Sequence, residues 1–225
     1  MAWHLNEDIS FCELDGRFFF LDIQRDRYFQ LPETLERRFR KHLNNPDDAD
    51  VDVSGLARHN LLLQTSKQLR EKFGSELGPV FQSVIESPQF KGLLHPSVIR
   101  DVFLTVAAMH WQLRTRPLKN ILEGLHQYRC IRTSPSSTEE AEIEQHVGEY
   151  AAAFIRVRPY VPIETRCLID SLSLVRFLAK RGLHSYLVMG MASDPFSAHA
   201  WVQRGSLALN ETVGTAHAHV PIRVI

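Results

Sequence analysis

Cysteine is scarce in this chain: three residues in 225, at positions 12, 130 and 167. Three thiols make no even-numbered disulfide framework, so packing has to hold the fold. A reducing, cytoplasmic setting fits this and keeps a nucleophilic thiol usable. An excess of one charge is also missing, since 26 Lys+Arg stand against 26 Asp+Glu. A balanced chain has no overall attraction to nucleic acid or to an anionic membrane. No apolar run nears the roughly 18–20 residues of a spanning helix. The opening M-A-W-H-L-N-E-D is polar and acidic, unlike a secretory signal. The 11 glycines form neither a P-loop nor a dinucleotide fingerprint, so no nucleotide cofactor is implied. Internal repeats and low-complexity tracts are absent. What is present, 44% hydrophobic and 23% charged residues, is the composition of a globular protein of one or two domains.

The most informative stretch runs from Pro162 to Glu211. Leu168, Leu172, Val175, Leu178 and Ala179 recur at helical spacing. Thr165 is a candidate N-cap, and Gly182 closes the helix after Lys180 and Arg181. Cys167 then falls in the first turn, where unpaired N–H groups and the helix dipole favour a thiolate. Residues 196–203 alternate as a strand, with His199, Trp201 and Gln203 on one side. Arg204-Gly205 signals a turn, and Ser206 to Asn210 can return as the partner strand. A two-residue turn pairs Gln203 with Ser206 and sets Asn210 opposite His199. A three-residue loop pairs Gln203 with Leu207 and sets Glu211 there instead. Either side chain can orient the imidazole, as the third member of a triad does. The bland alternative is a buried, inert Cys167 and a satisfied strand histidine. A cysteine opening a helix, then a strand, then a histidine on a hairpin is the order of parts in papain- and transglutaminase-like thiol sites.

Three blocks in sequence, C-L-I-D-S-L-S-L-V-R-F-L-A-K-R-G-L, P-F-S-A-H-A-W-V and L-N-E, resemble the B proteins of lasso-peptide biosynthesis. Those are transglutaminase-like cysteine peptidases that remove the leader from a ribosomal precursor. The resemblance implies Cys167 as nucleophile, His199 as base and an acid on the following strand. That acid is usually Asp; here Glu211 aligns, with Asn210 beside it as the alternative.

Residues 9–31 read as three short strands, with hairpin signals at Asp15-Gly16 and Arg25-Asp26. Cys12 reads as plain packing. Pro32 opens a helix to near Leu43, its apolar face carrying Leu35, Phe39 and Leu43. The run N-N-P-D-D-A-D is a loop, and a second helix is expected from Ser54 to Gln64. This βββαα unit, above all D-G-R-F-F-F-L-D-I-Q-R-D-R-Y-F-Q-L-P, resembles a RiPP recognition element, a small winged-helix-like module that binds leader peptides. An edge strand has unpaired backbone groups to which an extended peptide can add. The resemblance implies that a leader docks at Tyr28, Phe29 and Leu31 on the third strand and at Leu62 on the last helix. For any single one of these four residues, plain core packing is the commoner role. No concentrated basic face suits DNA.

Gly and Pro punctuate residues 66–96, which places the domain boundary there. Val98, Val102, Val106, Met109 and Leu113 mark a long helix over 97–113, with Trp111 covering the active-site side or simply packing. Pro117 to His126 and 139–156 are further helices, the latter capped by Thr138. His217-x-His219 would share one face of a strand, but no nearby Cys, Asp or Glu completes a zinc shell, so no metal is expected.

The sequence therefore predicts an α+β protein in two parts. A winged-helix-like, leader-binding domain occupies residues 1–80, and a papain/transglutaminase-like cysteine peptidase domain occupies residues 90–225. The implied partners are the precursor peptide and a separate asparagine-synthetase-like lasso cyclase. No cofactor, nucleic acid or membrane is implied. Two other functions use the same residues: acyl transfer by the same triad, as in a transglutaminase or arylamine acetyltransferase, and leader binding without catalysis.

Overall fold

The computed structural model describes residues 2–46, 52–65, 77–133 and 140–225. The N-terminal unit starts with β1 (Ala2–Leu5) and then the hairpin strands β2 (Ile9–Leu14), β3 (Arg17–Asp22) and β4 (Arg27–Gln30). These three form one antiparallel sheet in the order β2-β3-β4. Leu14 pairs with Arg17, so Asp15-Gly16 is a two-residue turn, with φ of 51° and 75°. Positive φ at both positions matches the twist of the flanking strands, which is why Asp-Gly marks it. Helix α1 (Glu33–Asn44) follows Pro32, with Glu33 and Glu36 in its first turn. Phe39 on α1 is fully buried, and the rings of Phe11, Phe18 and Phe20 pack edge-on against it at 5.1–5.3 Å.

The predicted second helix is corrected. Helix α2 (Ser54–Arg58) ends short of Gln64, and the chain re-emerges as β5 (Leu62–Thr65), paired with β1. Asn60, at φ +55°, breaks the helix, and Leu61 and Leu62 are then buried as the chain turns extended. The unit thus gains two strands that the βββαα reading lacked. Residues 47–51 and 66–76, and the cap expected at Thr138, lie outside the described residues.

The second unit is a mixed α+β layer. Its sheet has the order β10-β7-β8-β9-β6, from β6 (Gln82–Ser83), β7 (Tyr186–Ser193), β8 (Phe196–Arg204), β9 (Leu207–Ala208) and β10 (Val220–Val224). Because β6 pairs with β9, residues 82 and 83 are built into this sheet, where a boundary was expected. Helices α3 (Pro96–Thr115), α4 (Leu118–Arg132) and α5 (Glu140–Val157) surround α6 (Cys167–Ala179). Helix α6 is buried on nearly every side: Leu172, Leu174, Val175, Phe177 and Leu178 are at most 1% exposed. A helix apolar all round belongs at the centre of a core, and β7 and β8 cover its remaining face. Gly182, at φ +75°, ends it with back-bonds to Ala179 and from Leu183 to Leu178.

Both faces of the β2-β3-β4 sheet are covered. Ile9, Phe18, Phe20 and Leu31 pack with α1 and α2, whereas Cys12, Leu21 and Ile23 join the apolar cluster around α6. The unbroken run Phe18-Phe19-Phe20-Leu21 is the sequence signature of a strand buried on two sides.

Candidate active site

The site is built on the first residue of α6. The loop leading to it is held by Arg158, which is 5% exposed. Its guanidinium donates to Asp170 at 2.6 Å and to the carbonyls of Ile163 and Glu164 at 2.9 and 3.0 Å. Asp170 lies one turn into α6, so this ion pair clamps the loop to the start of the helix. Burial raises the Asp170 pKa against the opposing pull of Arg158. The N-cap residue is Arg166, with no side-chain cap, which corrects the expectation that Thr165 fills this role. Cys167 opens the helix and is half-buried.

Strand β8 brings in the histidine. His199 stands opposite Gly190 on β7, and Trp201 packs close to that glycine. A Cβ at position 190 would lie 2.7 Å from the Trp201 ring, so this crossing requires glycine. On one side His199 faces the Cys167 thiol, the largest influence raising its pKa. On the other, its Nε2 meets Glu211 Oε2 at 2.5 Å. With Nε2 engaged by the carboxylate, Nδ1 is the nitrogen left for sulfur. Glu211 is itself anchored, because its Oε1 accepts the Thr212 N–H at 2.9 Å and Ser83 Oγ donates to its carbonyl at 2.6 Å.

Neither anticipated hairpin register occurs. Arg204 pairs with Leu207 and Gln203 with Ala208, so the turn is Gly205-Ser206. After one further bond, from the Leu209 N–H to the Val202 carbonyl at 2.8 Å, the ladder ends, and Glu211 reaches His199 by side-chain length rather than by strand pairing. Asn210 is used elsewhere: its Oδ1 accepts the Val202 N–H at 2.7 Å and its Nδ2 donates to Ser171 Oγ at 2.9 Å. Ser171 Oγ in turn donates to the Ala200 carbonyl at 2.9 Å. Ser171 and Asn210 therefore tie the helix of Cys167 to the strand of His199 and to the residue before Glu211. Sequence reading missed this link; Ser171 sits one turn past Cys167, and nothing local marks it.

The electrostatics favour an ion pair. The hydrogen bond from His199 lowers the Cys167 pKa against the effect of burial, aided by the N–H groups of Ala200 and Leu168. The same bond to Cys167, and then Glu211, raises the His199 pKa. A free thiol near 9.0 and a free imidazole near 6.5 would sit mostly neutral at pH 7; both shifts push toward thiolate and imidazolium. A sulfur nucleophile, a proton carrier and an orienting carboxylate in hydrogen-bonded series can perform acyl transfer.

A family model described as the transglutaminase-like superfamily matches residues 109–224. The chain belongs to the transglutaminase-like superfamily. The matched stretch runs from α3 to β10 and contains Cys167, His199 and Glu211. No curated protein and no solved structure matches the chain.

The other predicted positions of this transglutaminase-like protein fall as follows. Leu31 and Leu62 are 4% and 1% exposed in the N-terminal core, so neither is available to a docked peptide. Phe29 is half-buried and stacked on Phe20 at 5.2 Å. Tyr28 points to the opposite face, against the large apolar cluster on which Cys167 also packs. Trp111 is 61% exposed on α3. His217 and His219 are not on a strand: His217 lies in the last turn of α7 (Val213–Ala218) and His219 caps it. His217 Nε2 bonds the Val80 carbonyl at 2.6 Å, and His219 bonds Thr215 and Ser197. Among the described residues no group of three His, Cys, Asp or Glu is placed to hold a metal.

Proposed function

We propose that this protein is a cysteine peptidase that binds the leader of a ribosomally made lasso-peptide precursor and cuts it from the core. The observation that carries the peptidase reading is Cys167 at the half-buried start of α6, facing a His199 whose Nε2 meets Glu211 Oε2 at 2.5 Å. The leader-binding reading is supported by the resemblance of residues 15–32 to a RiPP recognition element. It is also supported by the outer edge of β4, which pairs with no strand among the described residues. An extended leader adds to that edge as a further strand, beside Tyr28 and Phe29.

The Cys167 thiolate attacks the carbonyl at the leader–core junction. His199 gives its proton to the departing amine of the core. The acyl-enzyme keeps the leader, and water, deprotonated by His199, releases it as a carboxylic acid. Glu211 holds the imidazole in the tautomer this requires. The Cys167 N–H, an unpaired donor in the first turn, faces the developing oxyanion. The freed core amine passes to a separate asparagine-synthetase-like cyclase. Holding the leader on the same chain raises the local concentration of the cut site to about millimolar, so the catalytic pocket can be undemanding.

Incubation with a candidate precursor, followed by mass spectrometry, tests the reading. Loss of the leader by hydrolysis supports it, and Cys167→Ala abolishes the cut while leaving leader binding intact. An amine adduct on the leader acid would assign acyl transfer instead, a chemistry the superfamily also supports. An unchanged mass with tight binding would leave only a peptide-binding adapter. Cleavage by Cys167→Ala at near wild-type rate would overturn the nucleophile.

A further inference from the structure

The N-terminal sheet is fastened to the catalytic unit as well as packed on it. Ser193 Oγ bonds Asp15 Oδ2 and Lys119 Nζ bonds Asp8 Oδ2, each at 2.7 Å, and Arg223 donates to the Glu7 carbonyl at 3.2 Å. At the centre of this contact Tyr28 of β4 meets Phe196 of β8 edge to face, with ring centroids 5.8 Å apart. Phe196 is 56% exposed, an aromatic ring left in solvent at the tip of the β7–β8 hairpin.

The position of that pair relative to Cys167 follows from strand geometry. Phe196 and Ala200 lie four residues apart on β8 and so on one face. Ala200 packs in the α6 cluster, and its carbonyl accepts from Ser171, one turn past Cys167, at 2.9 Å. Stepping back from Ala200 to Phe196 moves about 13 Å along the strand, past the start of α6 and into the space before the thiol. Tyr28 closes the same space from the N-terminal unit. Burial, with the neighbouring charges of Asp26, Cys167 and Cys12, pushes its phenol up to about 12, so the ring stays neutral.

We propose that Tyr28 and Phe196 form an aromatic wall of the substrate cleft that selects an apolar side chain on the leader side of the scissile bond, within a few residues of it. This rests on Cys167 being the nucleophile. The N-terminal unit is then part of the specificity pocket as well as a tether. A leader lies on the acyl side of the bond that is cut, and the open edge of β4 delivers it from that side. Its last residues pass over Tyr28 on the way to Cys167. Two uncharged rings, one of them more than half in solvent, gain by covering an aliphatic or aromatic side chain and lose by desolvating a charged one.

Matched tripeptidyl chloromethyl ketones, with Leu or Asp at each position in turn, test this through the rate of Cys167 inactivation. Iodoacetamide, too small to reach the wall, normalises for thiol reactivity. The wild type is expected to favour Leu over Asp at one position by about tenfold or more. Phe196→Ala and Tyr28→Ala should each bring that ratio close to one, and Tyr28→Phe should keep it. Phe196→Ala is decisive because an exposed ring can be removed without threatening the fold. A wild type that discriminates at no position, or a ratio that survives Phe196→Ala, overturns the proposal. Inactivation requires the thiolate but no hydrolysis. Failure to cut any precursor with the Leu preference intact would therefore sink the leader-peptidase reading and leave the wall standing.

Discussion

Glu211→Gln keeps the size of the side chain and removes its charge. The carboxylate accepts on both oxygens, from His199 Nε2 at 2.5 Å and from the Thr212 N–H at 2.9 Å. An amide has one acceptor to offer. If its oxygen takes the Thr212 N–H, its NH2 faces Nε2 and forces the ring proton onto Nδ1, which then cannot receive the thiol proton. If its oxygen takes His199 instead, its NH2 is driven against the Thr212 N–H. Either way one partner is lost. A hydrogen bond to a charged group contributes about 1.5–3 kcal/mol, and each 1.36 kcal/mol is tenfold, so kcat/KM should fall roughly ten- to a hundredfold. The pH profile carries a second signature. In the proposed mechanism, activity requires thiolate and imidazolium together. It is lost as pH falls through the lowered Cys167 pKa and as pH rises through the raised His199 pKa. Glu211 is one of the groups that raise His199, so its neutralisation should move the alkaline limb to lower pH. The assay is kcat/KM on the precursor across pH, with iodoacetamide alkylation of Cys167 as a substrate-independent check. A variant near wild-type rate with its alkaline limb in place would refute the role given to Glu211.

Asn210→Ala should act on stability more than on rate. Leaving the Val202 N–H without its acceptor costs about 1–3 kcal/mol, seen as a Tm lower by several degrees, while turnover falls less than in Glu211→Ala. The reverse order of the two variants in turnover would make Asn210 the orienting residue. Thiol labelling should show a fast phase that persists below the ordinary thiol range, because the Cys167 pKa is lowered, and Cys167→Ala should remove it. Cys12, buried and pushed up to about 11, should stay unlabelled in the folded protein; labelling with a single, ordinary thiol pH dependence would contradict the ion pair. Gly190→Ala would set a Cβ 2.7 Å from the Trp201 ring, and overpacking of this kind costs about 1–3 kcal/mol. An unchanged Tm would show that the strand yields there at no cost.

The helices were readable because each keeps one apolar period over several turns. The pattern expected over 97–113 became Pro96–Thr115, and that over 139–156 became Glu140–Val157. The second N-terminal helix was misread because Leu61, Leu62 and Leu63 are compatible with either period, and Asn60 settles the matter only by adopting positive φ. The hairpin after His199 shows a different limit. Arg204-Gly205 marked a turn, but its residues are compatible with more than one register, and a shift of one residue changes which side chain faces the imidazole. The observed turn, Gly205-Ser206, is held by the Asn210–Ser171 link to α6, which is a contact across 39 residues.

Local order along the chain determined the chemistry on offer: a thiol in the first turn of an apolar helix, an imidazole on a strand, and an acid soon after it. These are short-range features, set by helix period, strand alternation and turn residues, and they are visible in any window of a dozen residues. Tertiary packing decided which of these groups meet and what stands around them. It brought Glu211 rather than Asn210 to His199, enclosed Leu31 and Leu62, and set Tyr28 against Phe196 from 168 positions away. The reason is that a sheet has two faces: a local pattern shows that both of β3 are apolar, but only the folded chain specifies which unit covers each.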